Sequence, residues 1–231
     1  MWIDREICTP LQAELARRPV VVLTGARQSG KTSLLQHLFP DHAYISLDLP
    51  LVAEEAEQSG EAFLRKHPPP LIVDEVQHAP GLFRFLKAKV DERRDEPGQY
   101  LLTGSGKFPL MAGVSESLAG RAAIVELHSL SLVELERWSG QAAEGAGLLE
   151  WCLLGGYPEV HARSLPPERF YADYVATYLE RDVRSALQVR SLRDFDRFLR
   201  LLALRSGQLL SLHSLASDTG IAVNTAKSWL S

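Results

Sequence analysis

Cysteine is scarce in this chain: Cys8 and Cys152 are the two thiols in 231 residues. Two thiols cannot build a disulfide scaffold or a cysteine-rich metal site, and such scarcity fits a reducing compartment. No apolar run approaches the ~20 residues needed to cross a bilayer. The N-terminal Met-Trp-Ile-Asp-Arg-Glu is charged at once and has no apolar signal region. A cytoplasmic protein with no membrane partner is expected. Neither charge sign dominates: 25 Lys and Arg stand against 29 Asp and Glu, a net charge of −4. That excludes a bulk nucleic-acid coat but leaves room for a local basic face. The seven histidines are scattered with no H-x-x-x-H pair, so no zinc site is expected. What remains is an ordinary globular composition, 45% hydrophobic and 23% charged, long enough for one large domain or two small ones.

Largely apolar runs, the first of them β-branched, recur at spacings that leave room for helices. Pro19–Leu23, Ala43–Leu47, Leu71–Val73, Tyr100–Thr103 and Ala122–Leu127 read as strands. Helical patterns fill 51–66, 82–94 and 114–119, and residues 3–18 read as a helical lead-in interrupted by Pro10. Strands that alternate with helices imply a parallel sheet with right-handed crossovers. After residue 128 the strand signals stop. Residues 131–138, 148–153, 167–188 and 192–205 read as helices, with a flexible loop at 139–147. The expected organisation is an α/β core over 1–128, a helical lid over 129–204, and a partial helix-turn-helix over 205–231.

Between the first strand and the next helix lies Gly25-Ala26-Arg27-Gln28-Ser29-Gly30-Lys31-Thr32-Ser33. It matches G-x-x-x-x-G-K-[ST], the loop that cradles phosphates. Gly25 and Gly30 let the backbone curl so that successive N–H groups face an anion. Lys31 offers a point charge to the β and γ phosphates, and Thr32 offers a hydroxyl to Mg²⁺. The helix that begins near Lys31 turns the positive end of its dipole to the same place.

The third strand ends in Asp74-Glu75. Asp74 would hold the Mg²⁺ shell together with Thr32, and Glu75 would act as general base on an attacking water. Binding alone needs only the first carboxylate, so the second argues for hydrolysis. The fourth strand runs into Thr103-Gly-Ser105. Ligands sit at the carboxyl ends of parallel strands, so Thr103 or Ser105 could reach the γ-phosphate or the lytic water. Arg121, entering the fifth strand, is the candidate for a charge-neutralising arginine, acting on a neighbour's γ-phosphate in a ring or dimer. Arg27 is a second candidate.

Gly-Ala-Arg-Gln-Ser-Gly-Lys-Thr, Val-Asp-Glu-Val-Gln77, Leu-Thr-Gly-Ser, Glu116-Ser-Leu-Ala-Gly-Arg, Leu130-Ser-Leu, Gly155-Gly-Tyr-Pro158-Glu and Tyr178-Leu-Glu-Arg-Asp-Val183 occur in this order. The set resembles the bacterial and archaeal AAA-type P-loop ATPases with a C-terminal domain of unknown function, several of which look like relatives of the signalling ATPases with numerous domains. The resemblance runs from about residue 5 to 231. It implies ATP rather than another nucleotide, catalytic roles for Lys31 and Glu75, metal binding by Thr32 and Asp74, and a helical lid after the nucleotide domain. Gly106 departs from relatives that carry a second Ser there, which leaves the polar contact of this strand to Thr103 and Ser105.

Leu209 to Trp229 reads as a helix-turn-helix, with Gly220 permitting the turn. Residues 201–231 carry Arg205 and Lys227 against Asp218, a net +1, so DNA is a weakly supported partner and the unit reads as a packing module of the lid; a protein client is a further candidate partner. Arg190, Arg193, Arg197 and Arg200 line one helix face and read as a solvated surface. The chain stops at Ser231, in or just after the second helix, so a longer parent protein is expected. The leading reading is an Mg²⁺-dependent ATPase. A slow nucleotide-dependent switch or DNA-binding regulator is the alternative. A small-molecule phosphotransferase is disfavoured by Glu75 and by the lack of an Arg-rich acceptor lid.

Overall fold

A computed structural model of the chain describes residues 2–104, 113–114, 116–142, 144–178 and 191–230. The contacts divide it into two units, Met1–Leu165 and Pro166–Ser231.

The first unit is built on five parallel strands: β1 (Val20–Thr24), β2 (Ala43–Ser46), β3 (Leu71–Asp74), β4 (Tyr100–Gly104) and β5 (Ala122–Glu126). Their order is β2-β3-β4-β1-β5. β4 lies between β1 and β3, with Val20 beside Tyr100 and Leu71 beside Tyr100 on its other edge. β1, β3 and β4 are buried along their whole length, which is why they read as continuous apolar runs rather than alternating ones. Alternate residues feed two cores. Val20, Val22, Leu71, Val73 and Leu102 face α3 (Pro50–Gln58), α4 (Gly60–Lys66) and α5 (Leu82–Glu92). Val21, Leu23, Ile72 and Leu101 face α1 (Cys8–Leu15) and α2 (Lys31–Leu38).

The helix expected over 51–66 is two helices, because Ser59 leaves helical geometry at φ −132°, ψ 43°. Gly60 sits at this break for a steric reason: a Cβ there would lie 2.3 Å from the Phe85 ring. The helical lead-in is confined to α1, where Pro10 falls in the first turn and costs no hydrogen bond. Residues 129–165 add α6 (Leu132–Ser139), α7 (Ala146–Leu154) and α8 (Pro158–Ala162) to this unit. Ile3, Leu130, Leu135, Trp138 and Trp151 form their small core. Pro158 opens α8, at a position where a missing N–H is harmless.

The second unit is helical: α9 (Pro167–Tyr178), α10 (Leu192–Ala203), α11 (Leu212–Thr219) and α12 (Val223–Leu230). Phe198, Leu215, Ala216 and Ala226 are its buried centre, with Trp229 edge-on to Phe195 and Phe198. α11 ends on Gly220, whose φ of +82° a side chain would strain. The helix expected over 167–188 is described as far as Tyr178; its remainder, with Glu180 to Val183, lies outside the described residues, as does Arg190.

Candidate nucleotide site

Every strand of the sheet points its carboxyl end the same way, so the loops after β1, β3 and β4 meet at one edge. The loop after β1 begins at Gly25, with φ +145°; a Cβ there would lie 2.2 Å from the Leu127 carbonyl oxygen. It closes on Gly30, which caps α2 in the left-handed conformation at φ +94°. Neither position admits a side chain without strain. The Ser29 hydroxyl donates to the Ala26 carbonyl at 2.9 Å and tightens the curve. Ala26, Gln28 and Ser33 are exposed, Arg27 is half-buried and Ser29 is fully buried.

Lys31 is buried, and its Nζ donates to the carbonyls of Gly25 at 3.0 Å and Ala26 at 2.9 Å. Burial holds its pKa below the usual lysine value, opposed by the nearby Glu75 and Asp74 carboxylates. Arriving phosphate oxygens offer this ammonium stronger, charged acceptors than two neutral carbonyls.

Asp74, at the end of β3, is the hub of the acidic side. Its Oδ2 accepts from the Thr32 hydroxyl at 2.8 Å and the Tyr44 hydroxyl at 2.7 Å. Its Oδ1 accepts from the fully buried Thr103 hydroxyl on β4. Thr103 therefore faces the acid pair, and its oxygen also lies 3.5 Å from the Glu75 N–H. Ser105 lies outside the described residues. Glu75 turns the chain with φ +54°, rare for a side-chain-bearing residue, and leads into a 3₁₀ turn at Val76–His78. The Gln77 side-chain amide donates to its Oε2. The Thr32 hydroxyl and Asp74 carboxylate are hard oxygen donors of the kind Mg²⁺ takes when phosphates and waters complete its shell. Among the described residues no group of three or more His, Cys, Asp and Glu gathers elsewhere as a metal site.

Arg121 is not brought to this edge. It precedes Ala122, which pairs with Val20, whereas the phosphate loop follows Thr24, which pairs with Glu126. Those four residues of strand put Arg121 at least ~13 Å away along the sheet. Its guanidinium forks onto Asp91 of α5 at 2.7 and 2.8 Å.

Sequence reasoning missed three contributors. Tyr44 lies on an edge strand and carries no motif. Arg5, before α1, reaches the Ser29 carbonyl at 3.0 Å, the His128 carbonyl at 2.7 Å and Glu134 at 3.1 Å. Glu134 closes a capping box with Ser131 at the start of α6, a pattern the Ser-x-x-Glu spacing displays. Beside Arg5 a cleft of about 140 Å³ opens next to Gly30 and Ser33, walled by Trp2, Ile3, Leu34, Leu130, Pro158 and Ala162.

Comparison with known proteins gives matches in both parts of the chain. The family described as AAA domain matches residues 17–136, and one described as a domain of unknown function (DUF8612) matches 146–231. The uncharacterized proteins Rv2008c of Mycobacterium tuberculosis and Mb2031c of Mycobacterium bovis are each 33% identical over 229 residues, covering 98% of this chain and 50% of the relative. The chain thus spans about half the length of the curated relatives it matches. Among solved structures, a Walker-type ATPase of Pyrococcus abyssi is similar with a TM-score of 0.52 and 16% identity, over 100% of this chain and 96% of that one. At that identity the similarity concerns the fold, a P-loop nucleoside-triphosphatase sheet.

Proposed function

The chain belongs to the AAA-domain family, and from that premise we propose that it binds ATP with Mg²⁺ at residues 25–33 and hydrolyses it. The observation that carries this reading is the Thr32–Asp74 hydrogen bond, which joins the phosphate loop to the acid pair across the ends of β1 and β3. Gly25 to Ser33 wrap the phosphates with backbone N–H groups, and Lys31 leaves its loop carbonyls for the β and γ oxygens. Thr32 and Asp74 would hold Mg²⁺, which when bound would neutralise phosphate charge. Glu75 takes a proton from the attacking water as its oxygen bonds to the γ-phosphorus and the bond to the ADP oxygen breaks. The cleft between Trp2 and Pro158 suits a flat, largely apolar base next to the loop.

Arg121 points away from its own loop, which supports action in trans on a neighbouring copy. Residues 129–204 would serve as a lid whose closure follows ATP and whose opening follows hydrolysis, acting on a protein client. Residues 205–231 would form a partial helix-turn-helix, with α11 and α12 as its two helices and DNA the weaker candidate partner. No helix among the described residues is long and apolar enough to cross a membrane, which is compatible with the cytoplasm as its place.

The deciding experiment is phosphate release from ATP and GTP with Mg²⁺, comparing wild type with Glu75→Gln and measuring nucleotide binding on both. Hydrolysis lost with ATP binding kept is the expected result. A second reading, the slow switch, is favoured by the Gln77 amide on the Glu75 carboxylate. Tight ATP binding by wild type with no phosphate release would select it.

A further inference from the structure

Arg5 is 8% exposed, and its charge partner Glu134 is 4% exposed. Burying such a pair is costly unless geometry and further hydrogen bonds compensate. Here they do. The Arg5 fork reaches three acceptors in three different segments, and Glu134 is itself held by the N–H groups of Glu6 at 2.7 Å and Ser131 at 2.8 Å. An arrangement this fixed delivers directed donors, and the carboxylate cancels the net charge.

The consequence lies at Ser29. A peptide unit is planar, and in the trans form its C=O and N–H point in opposite directions. Arg5 Nη1 anchors the Ser29 carbonyl at 3.0 Å from one side. The N–H on the far side of the same plane belongs to Gly30, the residue that caps α2. Among the described residues, no backbone carbonyl accepts that N–H. A peptide flanked by glycine turns over easily, since Gly30 tolerates either sign of φ. Turned over, it would present an oxygen to the phosphate instead of a donor.

We infer that Arg5 is a positioning residue for phosphate binding: by pinning the Ser29 carbonyl it holds the Gly30 N–H toward the bound anion. This rests on the nucleotide reading above. Lysine cannot substitute, because one ammonium on a longer stem does not span the three acceptors in a plane as the guanidinium does.

The test uses the full chain labelled with ¹⁵N-glycine, titrated with ADP and Mg²⁺. In wild type the Gly30 amide proton moves downfield as ADP binds. In Arg5→Lys, ADP affinity falls by about tenfold or more, the scale of a lost charge-assisted hydrogen bond, and the Gly30 shift disappears. Removing one partner strands a buried charge, so Arg5→Gln combined with Glu134→Gln is the second variant; it keeps the site neutral and is too short to reach Ser29. A folded variant of either kind with ADP affinity within about twofold of wild type and an intact Gly30 shift overturns the role of Arg5 alone. So does a wild-type Gly30 amide that stays still while ADP binds. Wild type that binds no ADP overturns the nucleotide reading, and the proposal with it.

Discussion

The Tyr44 hydroxyl donates to the Asp74 carboxylate at 2.7 Å, on the same oxygen that accepts from Thr32 at 2.8 Å. Burial and the Asp74 charge raise the phenol's pKa well above its usual value of 10.0. The folded chain therefore keeps a proton that the unfolded chain releases. A group of this kind contributes stability that is whole below pH 10.0 and lost as the pH rises past it. Tyr44→Phe should cost about 1 kcal/mol at neutral pH, as expected for a partly exposed hydrogen bond to a carboxylate. The gap between the two proteins should narrow in denaturant titrations above pH 10.0. Lys31, lowered by burial, works in the opposite sense but is common to both proteins and cancels. A gap that stays constant to high pH would remove Tyr44 from this role.

Gly25 joins the loop to the connector after β5. An added Cβ would meet the Leu127 carbonyl oxygen at 2.2 Å, at a φ of +145° that side chains avoid. Gly25→Ala should lower stability by ~1–3 kcal/mol and abolish ATP binding, because the loop must move to admit the methyl group. Thermal unfolding and ATP titration check the two effects separately. A variant with wild-type melting and wild-type affinity would contradict this packing.

Gln77 holds the carboxylate assigned as general base. That hydrogen bond occupies one carboxylate oxygen and restrains the side chain's direction. Gln77→Leu should raise ATP turnover severalfold without changing ATP affinity, measured by single-turnover phosphate release. A fall in turnover at constant affinity would mean that Gln77 aims Glu75 at its water instead of restraining it.

The sheet was legible because buried parallel strands write themselves as continuous apolar runs, and Val20–Thr24, Leu71–Asp74 and Tyr100–Gly104 are buried on both faces. The phosphate loop was legible because its glycines are stereochemical requirements that leave a fixed spacing. Tyr44, Arg5 and Glu134 were hidden for the complementary reason. Their roles depend on contacts 30, 24 and 129 residues away in sequence, which no local period or spacing records. The break at Ser59 is marked in the sequence by Ser59-Gly60 within the apolar gap 57–61, but the Phe85 ring that enforces Gly60 comes from α5 and leaves no local trace.

Arg121 offers the sharpest test of assembly. It enters β5 at the end of the sheet opposite its own loop, and its fork is held by the exposed Asp91. Such a surface pair contributes at most ~1 kcal/mol, so Arg121→Ala should melt close to wild type and bind ATP normally. Its turnover should nevertheless be abolished, if the arginine serves a neighbour's γ-phosphate. Glu75→Gln should be inactive as well, for an independent reason. Mixing the two inactive proteins then has a distinctive outcome. A subunit with Glu75 but no Arg121 can sit beside one with Arg121 but no Glu75, and that interface contains one complete site. Phosphate release should reappear in the mixture, rise with total protein concentration, and stay below the wild-type rate. A mixture as inactive as its components, alongside an active wild type, would place the neutralising charge on another residue, with Arg27 the first to substitute.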